Sequence, residues 1–211
     1  MIYLFYTRCN GELTFDYSDL FSEYRKSRLA AINNSAARRQ SAAAELLLNY
    51  AARQLESDIK LPLDIPVTSG RPVLRGGEFS FSISHSDDIV ACAVSDENIG
   101  LDVQIEREYK PALAKRFFSE AENNIYNRCA DRDKMFFKLW SMKESYVKAM
   151  GKGINYGFNS FTVDIGKNSL SDGGASFWHK KLGDCHYALC SLDKSCCRPD
   201  KFEYIDIKEL L

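Results

Sequence analysis

Ile99-Gly100-Leu101-Asp102-Val103-Gln104-Ile105-Glu106 alternates apolar and polar residues in steps of two. That period is the signature of a strand with one buried face, and it sets Asp102, Gln104 and Glu106 on one side. Upstream, Phe79-Ser80-Phe81-Ser82-Ile83-Ser84 repeats the alternation, and Ile89 to Val94 is a continuous apolar run fitting a more central strand. Further upstream, residues 1–6 read as a strand, and 17–32 and 36–57 as helices. The second helix is rich in Ala, Leu, Arg and Gln, with Ser35 as its N-cap. Pro62 to Gly77 reads as loop. Downstream, 111–128 and 133–150 read as helices, followed by strands near 160–165, 174–180, 185–192 and 201–207. The order predicts an α+β (α/β) chain in two halves, divided as 1–106 and 107–211. Ile89-Val90-Ala91-Cys92-Ala93-Val94-Ser95 faintly resembles His186-Tyr187-Ala188-Leu189-Cys190-Ser191-Leu192, which hints at an internal duplication.

The 211 residues suit one compact unit or two small coupled lobes. Charged residues make up 27% and the net charge is -1, so no overall field draws nucleic acid or a membrane. Any anion must be held by a local cluster. The seven cysteines are odd in number, irregularly spaced, and contain no CxxC pair. Free thiols in a reducing cytoplasm are the expectation. Met1 to Tyr6 is too short for a signal peptide, and no apolar run approaches membrane-spanning length.

The helix from Lys134 to Met150 carries the most chemistry. Met135, Phe136, Leu139, Trp140, Met142, Tyr146, Val147 and Met150 form a broad apolar arc. Glu144 and Lys148 lie at its edge and Lys143 inside it. Charges so placed are costly unless partners hold them. A Glu144–Lys148 surface pair with a snorkelling Lys143 is one reading. The other is a carboxylate aimed at a cation, with both lysines aimed at phosphate oxygens. Asp102 favours the second, because it ends the otherwise apolar run Ile99-Gly100-Leu101 and Gly100 leaves room for close approach. Oxygen ligands from separate elements, completed by water and phosphate, suit Mg²⁺. The three histidines are far apart in sequence and lack zinc spacing. Ser84-His85-Ser86, at a strand end, and the basic clusters Arg25-Lys26-Ser27-Arg28 and Arg38-Arg39 are candidate anion contacts or solvated surface. Neither a GxxxxGK[ST] nor a GxGxxG loop is present.

With these residues in place, the chain resembles the Sfp-type (surfactin-synthetase-activating) 4'-phosphopantetheinyl transferases. The likeness runs from about Arg25 to Phe161 and is densest in three stretches. These are Gly70-Arg71-Pro72 with Phe81-Ser82-Ile83-Ser84-His85-Ser86, then Ile99-Gly100-Leu101-Asp102-Val103, then Phe137-Lys138-Leu139-Trp140-Ser141-Met142-Lys143-Glu144-Ser145-Tyr146-Val147-Lys148-Ala149-Met150-Gly151-Lys152-Gly153. The resemblance implies two similar α/β lobes related by a pseudo-twofold axis, with coenzyme A in the cleft between them. It implies transfer of the phosphopantetheine arm to a serine of an apo acyl, peptidyl or aryl carrier, by a monomer that needs no partner to build its site. Asp102 and Glu144 match the magnesium-binding carboxylates, Glu122 the general base, with Glu120 as its substitute, and Lys148 the lysine near the pyrophosphate. Ser84 and His85 match contacts to the 3'-phosphate of coenzyme A, Arg71 and Pro72 the pair beside the adenine, and Arg25, Arg28 and Ser41 further 3'-phosphate contacts. The polar segment Glu122 to Asp133, with Arg128 and Arg132, would offer dock points to an acidic carrier.

Two departures stand out. Where many members carry Asp-x-Glu on the metal strand, this chain has Asp102-Val103-Gln104. Gln104 offers a neutral amide oxygen or yields its place to water, which lowers the charge around the metal. Arg71 replaces the usual lysine, keeping charge but changing donor geometry. The competing reading is a catalytically silent coenzyme A-binding module.

Overall fold

The computed structural model describes residues 1–10, 18–55, 58–68, 71–77, 79–152, 156–193 and 197–210. The motif glycines Gly70 and Gly153, Cys196, and the expected helix ends at Tyr17 and residues 56–57 lie outside them. Of Arg71 only the backbone is described.

The chain folds as two units, Met1–Glu97 with Pro199–Leu211, and Asn98–Arg198. The expected division after Glu106 therefore moves to Glu97. The reason is pairing: the strand 99–105 is hydrogen-bonded to a strand of the second unit, and the C-terminal strand returns to the first.

The first unit holds β1 (Ile2–Arg8), α1 (Glu23–Ala31), α2 (Ser35–Leu55), the short strands β2 (Val67–Thr68) and β3 (Arg71–Pro72), β4 (Ser80–Ser86) and β5 (Ile89–Ser95). β2 and β3 pair with each other. The main sheet runs β11-β1-β5-β4, where β11 (Lys201–Tyr204) lies parallel to β1. β5 is buried along its whole length, as a central strand with both faces covered must be. α2 lays Ala43, Leu46, Leu47, Ala51 and their neighbours into a core with Phe5, Val90, Cys92 and Val94. Asn34, rather than Ser35, caps α2, accepting the Ala37 amide at 2.9 Å. Ser84, His85 and Ser86 are the last residues of β4, and the turn falls at Asp87, whose φ is 53°.

The second unit holds β6 (Ile99–Ile105), α3 (Ala112–Phe117), α4 (Glu120–Arg128), α5 (Arg132–Ala149), β7 (Val163–Asp164), β8 (Ser169–Leu170), β9 (Ser176–Leu182) and β10 (Cys185–Ser191). Its sheet runs β6-β10-β9-β8-β7. The single helix expected over 111–128 is two, because Ser119 interrupts it as the N-cap of α4. α5 packs on the sheet through Phe137, Leu139, Met142 and Ala149, against Ala188 and Cys190. No helix among the described residues is long and apolar enough to cross a membrane.

Each unit thus sets one long helix on a sheet whose seven-residue central strand ends in serine. Ser95 Oγ accepts the Glu97 amide at 3.0 Å, and Ser191 Oγ accepts the Asp193 amide at 3.1 Å. These matching turns align Ser95 with Ser191, one residue away from the match read in the sequence. A slip of one residue in a strand exchanges its faces, so only the shifted match is structurally meaningful.

Candidate active site

β6 and α5 build the site in the second unit. A Cβ on Gly100 would fall 2.0 Å from the Ser145 carbonyl oxygen and 2.3 Å from the Ala149 amide nitrogen. Hydrogen in that place lets the helix backbone lie directly on the strand. The room inferred at Gly100 is therefore filled by α5 itself. The contact brings Glu144 and Lys148, one turn apart on the helix, to Asp102 on the strand.

Asp102 is 2% exposed. Its Oδ1 accepts from Lys148 Nζ at 2.7 Å and its Oδ2 from Gln104 Nε2 at 2.9 Å. Burial raises the pKa of Glu144 to about 7, the Asp102 carboxylate pushes in the same direction, and Lys148 opposes both. The Asp102 charge thus repels that of Glu144. A hard divalent cation relieves that repulsion and prefers oxygen donors, so two carboxylates and the amide oxygen of Gln104 fit one. Among the described residues no group of three or more His, Cys, Asp or Glu could hold a metal, so water or phosphate would complete the shell.

Glu122 and Lys143 stand elsewhere, and two expectations are corrected. Glu122 is fully buried. Its Oε1 accepts from the Val163 amide and its Oε2 from the Ser119 amide, both at 2.7 Å, and both oxygens accept from Lys143 Nζ at 2.7 Å. Nζ gives its remaining hydrogen to the Phe161 carbonyl at 2.8 Å and lies 4.1 Å from the centre of the Phe161 ring. Every hydrogen of the ammonium is committed, so Lys143 is not aimed at phosphate. Glu122, enclosed and bound by four hydrogens, is not placed to take a proton from a macromolecular substrate. The pair instead clamps α4, α5 and the segment before β7. The missed signal was Ser119-x-x-Glu122, a capping box, whose reciprocal hydrogen bonds both form.

In the first unit, Arg25 and Ser41 meet: Arg25 Nη1 donates to Ser41 Oγ at 2.7 Å, and Arg25 Nε to Glu45 Oε2 at 3.0 Å. Arg28, on the exposed side of α1, lies against Tyr24, its Cζ 5.9 Å from the ring centre. Ser84 and His85 are consecutive on β4 and point to opposite faces, one buried and one exposed. Pro72 sits in β3 opposite Val67.

Sequence reasoning also kept the histidines apart, yet two of them touch. His179 Nε2 and His186 Nδ1 are 3.0 Å apart, and His186 Nε2 lies 2.7 Å from Glu106 Oε1, which Lys181 also approaches at 3.0 Å. The β9–β10 register brings this chain together, and nothing in the spacing announces it. Arg128 and Arg132 are exposed at the end of α4 and the start of α5, on either side of the short non-helical link 129–131.

Residues 98–197, nearly the whole second unit, match the model of the 4'-phosphopantetheinyl transferase superfamily. The chain resembles the Sfp-type members of that class. It is 39% identical to the 4'-phosphopantetheinyl transferase psf-1 of Bacillus pumilus over 153 residues, covering 66% of this chain and 62% of psf-1. It is 40% identical to gsp of Aneurinibacillus migulanus over 89 residues, covering 41% of this chain and 38% of gsp. Against Sfp of Bacillus subtilis it is 41% identical over 90 residues, covering 40% of this chain and 39% of Sfp. Each match spans less than two thirds of the relative's length.

Proposed function

We propose that the protein transfers the 4'-phosphopantetheine arm of coenzyme A to a serine of an apo acyl, peptidyl or aryl carrier protein, with magnesium as the metal. The observation that carries the reading is the convergence of Asp102, Glu144 and Lys148 in a stretch that resembles the Sfp-type transferases. A silent coenzyme A-binding module has only the uncharged Gln104 in its favour.

Asp102 and Glu144 would hold the ion, with Gln104 contributing an amide oxygen. When bound, magnesium neutralises charge developing on the diphosphate oxygens. Lys148, whose side chain is 31% exposed, swings its ammonium from Asp102 toward the departing phosphate. The carrier serine oxygen forms a bond to the β-phosphorus as the bond to the leaving 3',5'-bisphosphoadenosine breaks. With Glu122 enclosed and Glu144 committed to the ion, the serine proton passes to a water at the site. In the first unit, Arg25, Arg28, Ser41, Ser84 and His85 serve the 3'-phosphate, and the Arg71–Pro72 strand the adenine. Arg128 and Arg132 meet an acidic carrier.

The test is incubation with coenzyme A, Mg²⁺ and a panel of apo-carriers from fatty-acid, polyketide and peptide synthases. Gain of the arm's mass by at least one carrier is expected. Tight coenzyme A binding with no mass gain on any carrier would favour the silent module.

A further inference from the structure

Glu45 is a carboxylate on α2 with no exposed surface, and no motif singles it out. Its donors all come from the start of α1. Oε1 accepts from the Ser22 amide, and Oε2 accepts from Ser22 Oγ at 3.0 Å and from Arg25 Nε at 3.0 Å. Ser22 Oγ is also the N-cap of α1, accepting the Arg25 amide at 3.2 Å. One carboxylate therefore fixes the first turn of α1 and the guanidinium that leaves it.

The manner of fixing matters. A guanidinium is planar, so holding Nε and Nη1 leaves it no rotation. Ser41 takes one hydrogen of Nη1, and Nη2 has no acceptor among the described residues. The Arg25 side chain keeps 11% of its surface exposed. A buried ion pair that served stability alone would be expected to spend its donors internally, as Lys143 does on Glu122 and Phe161. Here Glu45 holds Nε, Ser41 holds Nη1, and Nη2 is left uncommitted among the described residues.

We propose that Glu45 is a positioning residue for coenzyme A: it orients Arg25 so that Nη2 meets the 3'-phosphate. The inference rests on the reading that Arg25 contacts that phosphate. Glu45 itself touches no substrate. Its removal frees the Arg25 rotamer and weakens binding only of ligands that carry the 3'-phosphate.

Calorimetric titration of coenzyme A and 3'-dephospho-coenzyme A into the wild type, Glu45→Gln and Arg25→Ala tests this with no carrier present. The wild type is expected to bind coenzyme A about tenfold tighter than the dephospho form. Glu45→Gln and Arg25→Ala should each lose that preference while binding the dephospho form as the wild type does. The double variant should show no loss beyond that of Arg25→Ala. A Glu45→Gln loss of equal size on both ligands would reduce Glu45 to a structural residue and overturn the proposal. Wild-type binding that ignores the 3'-phosphate would overturn the reading of Arg25 beneath it, and no binding of either ligand would overturn the proposed function. Should Glu45→Gln fail to fold, Glu45→Asp keeps the charge but withdraws it from Nε, and the same selective loss is expected.

Discussion

The Lys148 ammonium rests 2.7 Å from Asp102 Oδ1, one helical turn beyond Glu144. The same cation opposes the rise in the Glu144 pKa that burial and the Asp102 charge produce. Glu144→Gln removes a carboxyl proposed to hold the ion while keeping its shape. Arm transfer is expected to fall by roughly a hundredfold or more, with the thermal midpoint unchanged or raised. Transfer at the wild-type rate would remove Glu144 from the chemistry.

Gln104→Glu removes the amide that donates to Asp102 Oδ2 and adds a negative charge beside it. The metal-free variant should be less stable, and its half-maximal rate should come at lower magnesium concentration. A magnesium titration that superimposes on the wild type would place Gln104 away from the ion.

Lys143→Met leaves Glu122 buried and unpaired. A loss of about 3–5 kcal/mol in urea unfolding is expected. Lys143→Met with Glu122→Gln should recover part of it. At a temperature where all variants stay folded, coenzyme A affinity should hold within a few-fold. Selective loss of that affinity from a fully stable Lys143→Met would restore the lysine to the binding site.

Gly100→Ala forces α5 off β6. A cost of about 1–3 kcal/mol or more is expected, together with loss of transfer, because Glu144 and Lys148 ride on the displaced helix. Retention of wild-type stability and rate would mean that the contact yields without moving them.

Burial lowers the pKa of His179 to about 3, with His186, Lys138 and Lys134 adding to the effect. The unfolded chain protonates this ring near pH 6.5, while the folded chain resists until far lower. Unfolded protein therefore binds the extra proton between those limits, and stability falls as pH drops below about 6.5. One such ring contributes about 1.4 kcal/mol per pH unit. Urea midpoints measured from pH 7.5 to 5 should decline, and His179→Gln should flatten the decline. Equal slopes in the two proteins would show that the ring titrates freely in the folded state.

Local pattern carried most of the secondary structure. Period-two alternation marked β4 and β6, the apolar run marked β5, and the heavy apolar arc marked α5, because strand and helix each impose a repeat that burial writes into nearby residues. Asp102, Glu144 and Lys148 were legible as charges out of place on apolar elements. Partnerships were not. Glu122 and Lys143 read as reactive groups until α4, α5 and the Phe161 carbonyl closed around them, Glu45 carried no mark at all, and His179 met His186 only through strand register. A sequence records which side chains are anomalous for their element. Which donor satisfies each buried charge depends on long-range packing, and that choice separates a clamp from a site.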